Sequence, residues 1–202
     1  MKKVILATNN LGKVREMAAL LKDMDIQVLS LKDMDDVPEV IEDGSTFLEN
    51  AHKKACAISE ATGLMAISDD SGLEVDALKG APGIYSARYA GEGATDEKNY
   101  LKLLDELKYV ELEKRTARFR CVLVACHPSG KWITAEGTCE GTIGFSPKGE
   151  QGFGYDPVFL LPDLNLTMAE IVPEKKNQLS HRAMALKKLK EILPDFLKKK
   201  DS

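Results

Sequence analysis

Short unbroken apolar runs alternate along this chain with stretches in which apolar residues recur every three or four positions. That alternation predicts an α/β fold, with a long twisted mixed sheet flanked by helices. Val4, Ile5, Leu6 and Ala7 read as a buried parallel strand. Behind it Val14, Met17, Ala18, Leu20 and Leu21 keep helical spacing, and the helix should end by 23–25. A second strand is expected at 26–29, and the acidic stretch 33–43, interrupted by Pro38, reads as a loop. Thr46 and Glu49 have capping-box spacing, so a helix should start there, run to about Ala61 and stop at Gly63 in a left-handed cap.

Further along, 66–69 and 73–78 read as two strands joined by a turn at Ser71-Gly72, and 80–83 as a loop. A helix should open near Thr95 and bury Tyr100, Leu101, Leu104 and Leu107. From 116 to 125, Ala117, Phe119, Cys121 and Leu123 share one face, the alternation of an antiparallel strand. Pro128-Ser129-Gly130-Lys131 turns it into a partner strand at 132–142. A glycine-rich loop, 148–157, precedes a short strand at 158–161. Thr167 and Glu170 repeat the capping-box spacing and predict a short helix halted by Pro173. Ala183, Leu186, Leu189 and Leu193 mark a last helix, and Lys198-Lys199-Lys200 suits its negative end as a solvated tail. No repeat or linker-like tract divides the 202 residues, so a single domain over 1–202 is expected, in one body or two lobes.

Composition excludes some functions. A net charge of −4 does not fit a chain built to coat nucleic acid or an anionic membrane, so any phosphate affinity must come from a local cluster. Cys56, Cys121, Cys126 and Cys139 show no C-x-x-C spacing and no companion histidines at zinc-ligand intervals, and read as buried structural thiols. Only a short apolar run follows Met1-Lys2-Lys3, and no stretch approaches membrane-spanning length, so a cytoplasmic location is expected.

Candidate chemistry gathers at predicted strand ends, where α/β folds hold ligands. Asp69 and Asp70 follow the apolar run 64–67 where a buried strand should reach a turn. Adjacent strand residues point to opposite faces, so at most one acid reaches a site while the other serves the turn or a helix amide. Glu42, in Ile41-Glu42-Asp43-Gly44, offers another acid, with Asp43 as the alternative. Magnesium takes only one or two protein carboxylates and fills its other positions with water and substrate phosphate, so a sparse pair of acids suits it. Thr8-Asn9-Asn10-Leu11-Gly12-Lys13 differs from a P-loop, yet helix-terminal amides and a lysine there would favour an anion; a plain turn capped by Asn is the other reading. Gly152-Phe153-Gly154-Tyr155-Asp156-Pro157 can present a ring face to a flat base, or be an edge turn with two core aromatics. Lys176, or its neighbour Lys175, and Ser180-His181-Arg182 add donors at the start of the last helix.

Together these segments resemble the inosine triphosphate pyrophosphatases, which hydrolyse non-standard purine nucleoside triphosphates to the monophosphate and pyrophosphate. The resemblance runs from Lys3 to the last helix. It includes Thr8-Asn9-Asn10 with Lys13, Thr46-Phe47 with Glu49-Asn50-Ala51 and Lys54-Ala55, Asp69 to Leu73, Gly83 to Tyr89, Gly152 to Pro157, and Ser180-His181-Arg182. It implies two lobes with a nucleotide cleft between them. It implies Asp70 as catalytic base and magnesium ligand and Glu42 as the second metal carboxylate. Thr8, Asn9, Asn10, Leu11, Gly12 and Lys13 would hold the triphosphate, and Ser71 would touch substrate. Phe153, Gly154, Tyr155 and Asp156 would frame the base, with Lys176, His181 and Arg182 completing the pocket. Lys54 would face the phosphates or be solvated. The likeness also implies a homodimer, for which the Tyr- and Arg-bearing segment 84–89 is suited.

A donor-only Arg182 beside His181 would satisfy the 6-keto oxygen of inosine or xanthosine and oppose the 6-amino group of adenosine, unless Arg182 only grips phosphate. Two other functions fit parts of the pattern: a pyrophosphatase for pyrimidine or modified nucleotides, and a module that binds nucleotides without hydrolysing them. The first lacks a use for Ser-His-Arg with Phe-Gly-Tyr-Asp, and the second lacks a use for a poised carboxylate.

Overall fold

The computed structural model describes residues 2–34 and 36–198; Asp35 of the expected loop and Lys199 and Lys200 of the expected tail lie outside the described residues. Seven strands form one mixed sheet: β1 (Lys2–Leu6), β2 (Ile26–Ser30), β3 (Met65–Val75), β4 (Thr116–Cys126), β5 (Trp132–Ile143), β6 (Phe159–Leu161) and β7 (Leu166–Thr167). Their order is β2-β1-β3-β4-β5-β6-β7, with β1 parallel to β2 and β3, and β6 antiparallel to β5 and β7. Among the described residues five α-helices accompany them: α1 (Leu11–Leu21), α2 (Phe47–Thr62), α3 (Asp96–Glu106), α4 (Pro173–Leu179) and α5 (His181–Lys198). No helix among the described residues is long and apolar enough to cross a membrane.

The chain forms two compact units, one from Met1–Asp70, Cys121–Gly137 and Arg182–Ser202, the other from Ser71–Arg120 and Thr138–His181. In the first unit the apolar run of β1 is explained by burial on both faces. Val4 and Leu6 join Met17, Leu21, Leu186 and Leu189 of α1 and α5, whereas Ile5 and Ala7 join Ile58 of α2. β3 repeats the pattern, with Met65 and Ile67 on the α1/α5 side and Ala66 on the α2 side. In the second unit Leu73 and Val75 pack with Leu103, Leu107, Phe119, Phe159 and Ile171.

The helix ends follow local chemistry. Thr46 Oγ1 accepts the Glu49 amide at 3.1 Å, and Gly63 closes α2 with φ +65°. The Glu49 carboxylate, however, takes the Ser45 amide and hydroxyl, one residue before the predicted partner.

Four expectations are corrected. Ser71-Gly72 is no turn: β3 runs straight through it, because Leu73 and Val75 bury on the far side and keep the chain extended. Leu107 is buried and Tyr100 and Leu104 pack partly buried against the same core as expected, but Leu101 is 49% exposed, and Leu103 and Asn99 are buried instead, Asn99 donating to the Ala87 carbonyl and accepting from the Ala90 amide. Thr167 and Glu170 start no helix. Glu170 accepts the Thr167 amide within a turn, and Pro173 opens α4 at its first position, where its missing N–H costs nothing. Cys121 and Cys139 are buried thiols as expected, but Cys56 and Cys126 are joined in a disulfide across 70 positions, a pairing that spacing does not reveal.

Candidate active site

The alternation of β3 sorts its two acids. Asp69 continues the Met65–Ile67 parity toward α1 and α5, and Asp70 continues the Ala66–Ser68 parity toward α2. Ser68 confirms the second direction by hydrogen-bonding the Ala51 carbonyl of α2.

Asp69 is fully buried between two cations. Lys13 Nζ lies 2.6 Å from its Oδ1, and Arg182 Nε donates to its Oδ2 at 3.0 Å. Burial alone would raise this carboxyl, but Lys13, Arg182 and Lys54 hold it well below the usual carboxylate range. Arg182 is 1% exposed and also pairs with Glu16 of α1. Its guanidinium therefore binds two carboxylates of its own unit, where the sequence suggested a group offered to the purine. The physical reason is the cost of burying an acid such as Asp69 without compensating charge.

Asp70 meets a different set. Lys54 Nζ stands 2.9 Å from Glu42 Oε2 and 3.8 Å from Asp70 Oδ1, so one ammonium from α2 reaches both carboxylates. The same ammonium donates to the Asp69 carbonyl at 2.8 Å, which ties it to β3. Burial pushes the Asp70 carboxyl up to about 6; Lys54 and Lys13 oppose this, Glu42 adds to it, and a hydrogen bond from Asn50 opposes it. Asn50 Oδ1 also accepts the Gly44 amide at 2.7 Å, and a Cβ on Gly44 would lie 2.7 Å from that oxygen. This fixes the loop that carries Glu42. Asp43 turns instead to the exposed Lys53.

The pair also passes a test for a hard cation. Glu42 and Asp70 offer only carboxylate oxygens, from separate segments, within reach of one ammonium. Among the described residues no group of three or more His, Cys, Asp or Glu forms a closed metal cage. Carboxylate oxygens alone are the donor chemistry of a hard divalent cation that completes its shell with water.

The segment 8–13 is a capped helix start. Asn10 Oδ1 accepts the Gly12 and Lys13 amides at 2.9 and 3.1 Å, so those two donors serve the cap and are not open to an anion. Leu11, Gly12 and Lys13 form the first turn of α1, and Thr8 Oγ1 accepts the Asn10 amide at 3.2 Å. Asn9 and Leu11 are exposed.

In the second unit Asp156 organises the glycine-rich loop. Its Oδ2 accepts the Phe153 amide at 2.9 Å and the Lys176 ammonium at 2.6 Å, and that ammonium lies 4.7 Å from the centre of the Phe153 ring. Gly152 has φ +81°, and a Cβ there would lie 2.0 Å from Asp156 Oδ2, so only glycine fits. The Gly154 amide donates to Asp96 at 2.7 Å, and the buried Tyr155 hydroxyl to the Ser86 carbonyl at 2.8 Å. Tyr155 is thus a strut, while Phe153 stays half-buried. Lys176 is buried and Lys175 exposed. His181 stacks on Phe119 with centroids 4.8 Å apart. Ser71, half-buried on β3, directly follows Asp70.

Against this geometry stand the relatives. The Ham1 family matches residues 4–192. The chain belongs to the Ham1 family. Among relatives of this Ham1 chain, the dITP/XTP pyrophosphatase of Desulforamulus reducens is 57% identical over 191 residues, 95% of each chain. That of Bacillus subtilis is 50% identical, covering 96% of this chain and 98% of its own. The solved structure of a HAM1 protein from Coxiella burnetii superposes with TM-score 0.87 at 41% identity, covering 96% of this chain and 100% of that one. The dITP/XTP pyrophosphatase from Mycobacterium abscessus gives TM-score 0.75 at 38% identity, covering 93% and 98%.

Sequence reasoning missed three residues of this Ham1 site. Asn50 sits inside a recognised segment, but its double hydrogen bond depends on where 42–44 folds back. Glu16 looks like any exposed helix acid until Arg182 is brought to it from 166 positions away. Asp96 reads as a first-turn helix acid, and its bond to the Gly154 amide spans 58 positions.

Proposed function

We propose that this chain hydrolyses non-standard purine nucleoside triphosphates (ITP, dITP and XTP) to the monophosphate and pyrophosphate, with the acids of β3 and its neighbours acting on the phosphates. The observation that carries the reading is the pair Glu42 and Asp70, gathered by Lys54 and Asn50 on the α2 side of β3. The assignment agrees with the dITP/XTP pyrophosphatases that match nearly the whole chain.

Glu42 and Asp70 would hold magnesium, which when bound would offset charge on the phosphate oxygens. Asp70 orients a water and accepts its proton at a carboxylate oxygen; a carboxyl raised to about 6 is a better base near neutral pH than an ordinary one. The water oxygen forms a bond to the α-phosphorus as the bond from that phosphorus to the bridging oxygen breaks, and pyrophosphate departs with the bond's electrons. Lys13, Thr8, Asn9, Asn10, Leu11 and Gly12 place the positive end of α1 toward the triphosphate. Ser71 contacts substrate. Phe153, Gly154, Tyr155 and Asp156, with Lys176 and His181, hold the purine, and Arg182 acts by holding Asp69 and Glu16. The protein works in the cytoplasm as a homodimer, and Tyr85, 56% exposed with Arg88 against its ring, supports segment 84–89 as the contact.

The test is pyrophosphate release from ITP, dITP, XTP, ATP and TTP, with magnesium and with a chelator. Release from the first three, dependent on magnesium, is expected. Preference for TTP would move the chain to pyrimidine substrates, and binding without release would make it a nucleotide-sensing module.

A further inference from the structure

The disulfide between Cys56 and Cys126 lies outside the machinery proposed above. Cys56 follows Lys54 by two residues, which puts it roughly 200° around α2 from the ammonium. α2 therefore carries Asn50 and Lys54 on one flank of its buried face and His52 and Cys56 on the other. The two sulfurs differ in access: Cys126, at the end of β4, is 1% exposed, whereas Cys56 is half-buried. Each has a second polar neighbour. His52 Nε2 lies 3.5 Å from Cys56 Sγ, and the His127 carbonyl lies 3.8 Å from Cys126 Sγ. The His52 ring is held edge-on against Trp132, with centroids 4.9 Å apart. In the open state these groups offer partners: a Cys126 thiol can donate to the His127 carbonyl, and a Cys56 thiolate can accept from a His52 N–H.

We propose that Cys56–Cys126 is a reversible thiol–disulfide exchange site, opened at the Cys56 sulfur by low-molecular-weight thiols. The thiolate of a first thiol attacks Cys56 Sγ and forms a mixed disulfide. The bond to Cys126 breaks, and Cys126 departs as a thiolate that takes up the proton released by the attacking thiol. A second thiolate attacks the small-molecule sulfur of the mixed disulfide, releasing the oxidised small disulfide and a Cys56 thiolate, which takes up the second proton. In sum two thiols are oxidised to one disulfide, and the protein gains two electrons and two protons. Cys121 and Cys139 stay outside the exchange, because burial pushes both thiols up, Cys139 to about 11.

Opening the bond removes a cross-link over 70 positions and should lower Tm by roughly 5–15 °C. The same helix holds Lys54 at Glu42 and Asp70, so the temperature at which turnover is lost should fall by a similar interval. That link rests on the pyrophosphatase reading; the exchange itself does not.

The full-length native protein is equilibrated in glutathione buffers of varied ratio, quenched in acid, denatured, alkylated and weighed. Two alkyl groups at oxidising ratios and four at reducing ratios are expected, from the four cysteines of the chain. Glutathione should add to Cys56 in Cys126→Ser. Four groups at every ratio would mean no bond forms, and two groups even in excess dithiothreitol would mean a closed structural bond. Glutathione on Cys126 in Cys56→Ser, with none on Cys56 in Cys126→Ser, would reverse the point of entry. Any of the three overturns the proposal, and none depends on hydrolytic activity.

Discussion

Replacing Asp70 by Asn should make the metal-free protein more stable while it removes most turnover. The folded chain raises this carboxyl from 3.8 to about 6, chiefly by burial and against the pull of Lys54 and Lys13. Between those two pH values the folded state holds a proton that the unfolded state has released. The unfolded chain therefore binds fewer protons there, and stability falls as pH rises through the interval. Above it the ionised carboxylate costs about 3 kcal/mol, from about 1.4 kcal/mol for each pH unit of displacement. Asn is nearly the same shape, carries no charge and can keep the bond to Asn50. In a chelating buffer at pH 8, Asp70→Asn should melt roughly 6–12 °C higher than the parent, and the difference should shrink to nothing as pH falls to about 3.8. Turnover of ITP should fall on the order of a hundredfold or more, because the amide neither accepts the water's proton nor ligates metal as an anion. Melting followed by circular dichroism across pH, together with a pyrophosphate-release assay, reads both effects. A variant that melts at or below the parent temperature at pH 8, or by a pH-independent difference, would refute the electrostatic reasoning. Near-normal turnover in a folded variant would move the base elsewhere.

Arg182→Ala should cost about 3–5 kcal/mol in urea unfolding, because Asp69 and Glu16 lose a buried partner. It should lower kcat/KM for ITP and ATP by similar factors, whereas a selective loss on ITP would return Arg182 to base recognition. Gly152→Ala should raise KM for ITP on the order of tenfold or more with a smaller change in kcat, since its methyl group displaces Asp156 and with it Phe153. Steady-state kinetics check it, and an unchanged KM would detach this loop from substrate. Arg115 is buried and donates to the carbonyls of Val110, Gly144 and Leu107; Arg115→Ala should cost about 2–4 kcal/mol by urea unfolding with catalysis per folded molecule intact.

Local chemistry made several elements legible in the sequence. Val4 to Ala7 could only be a strand buried on both sides, since residues of both parities are apolar. Thr46 and Gly63 set the ends of α2 because a cap needs only its nearest amides and a left-handed residue. The segments carrying Asp70, Glu42, Phe153 and Lys176 were unremarkable one by one, and their roles came from the joint resemblance to the inosine triphosphate pyrophosphatases.

Which partner each side chain takes was decided by folding. Asp69 and Asp70 are neighbours with the same chemistry, yet one is held far below the usual carboxylate range and the other is raised to about 6. Strand parity sends Asp69 to Lys13 and Arg182 and sends Asp70 to Glu42, Lys54 and Asn50, and the facing groups set the charge state. Arg182 reads locally as a donor for base or phosphate, and only the fold shows that its guanidinium also pairs with Glu16 and Asp69. Cys56 and Cys126 looked like buried thiols because a pairing across 70 positions has no local signature. Backbone propensity and capping act over a few residues and are written in the chain. Charge pairing and cross-linking depend on distances between segments, which exist only after the sheet has brought those segments together.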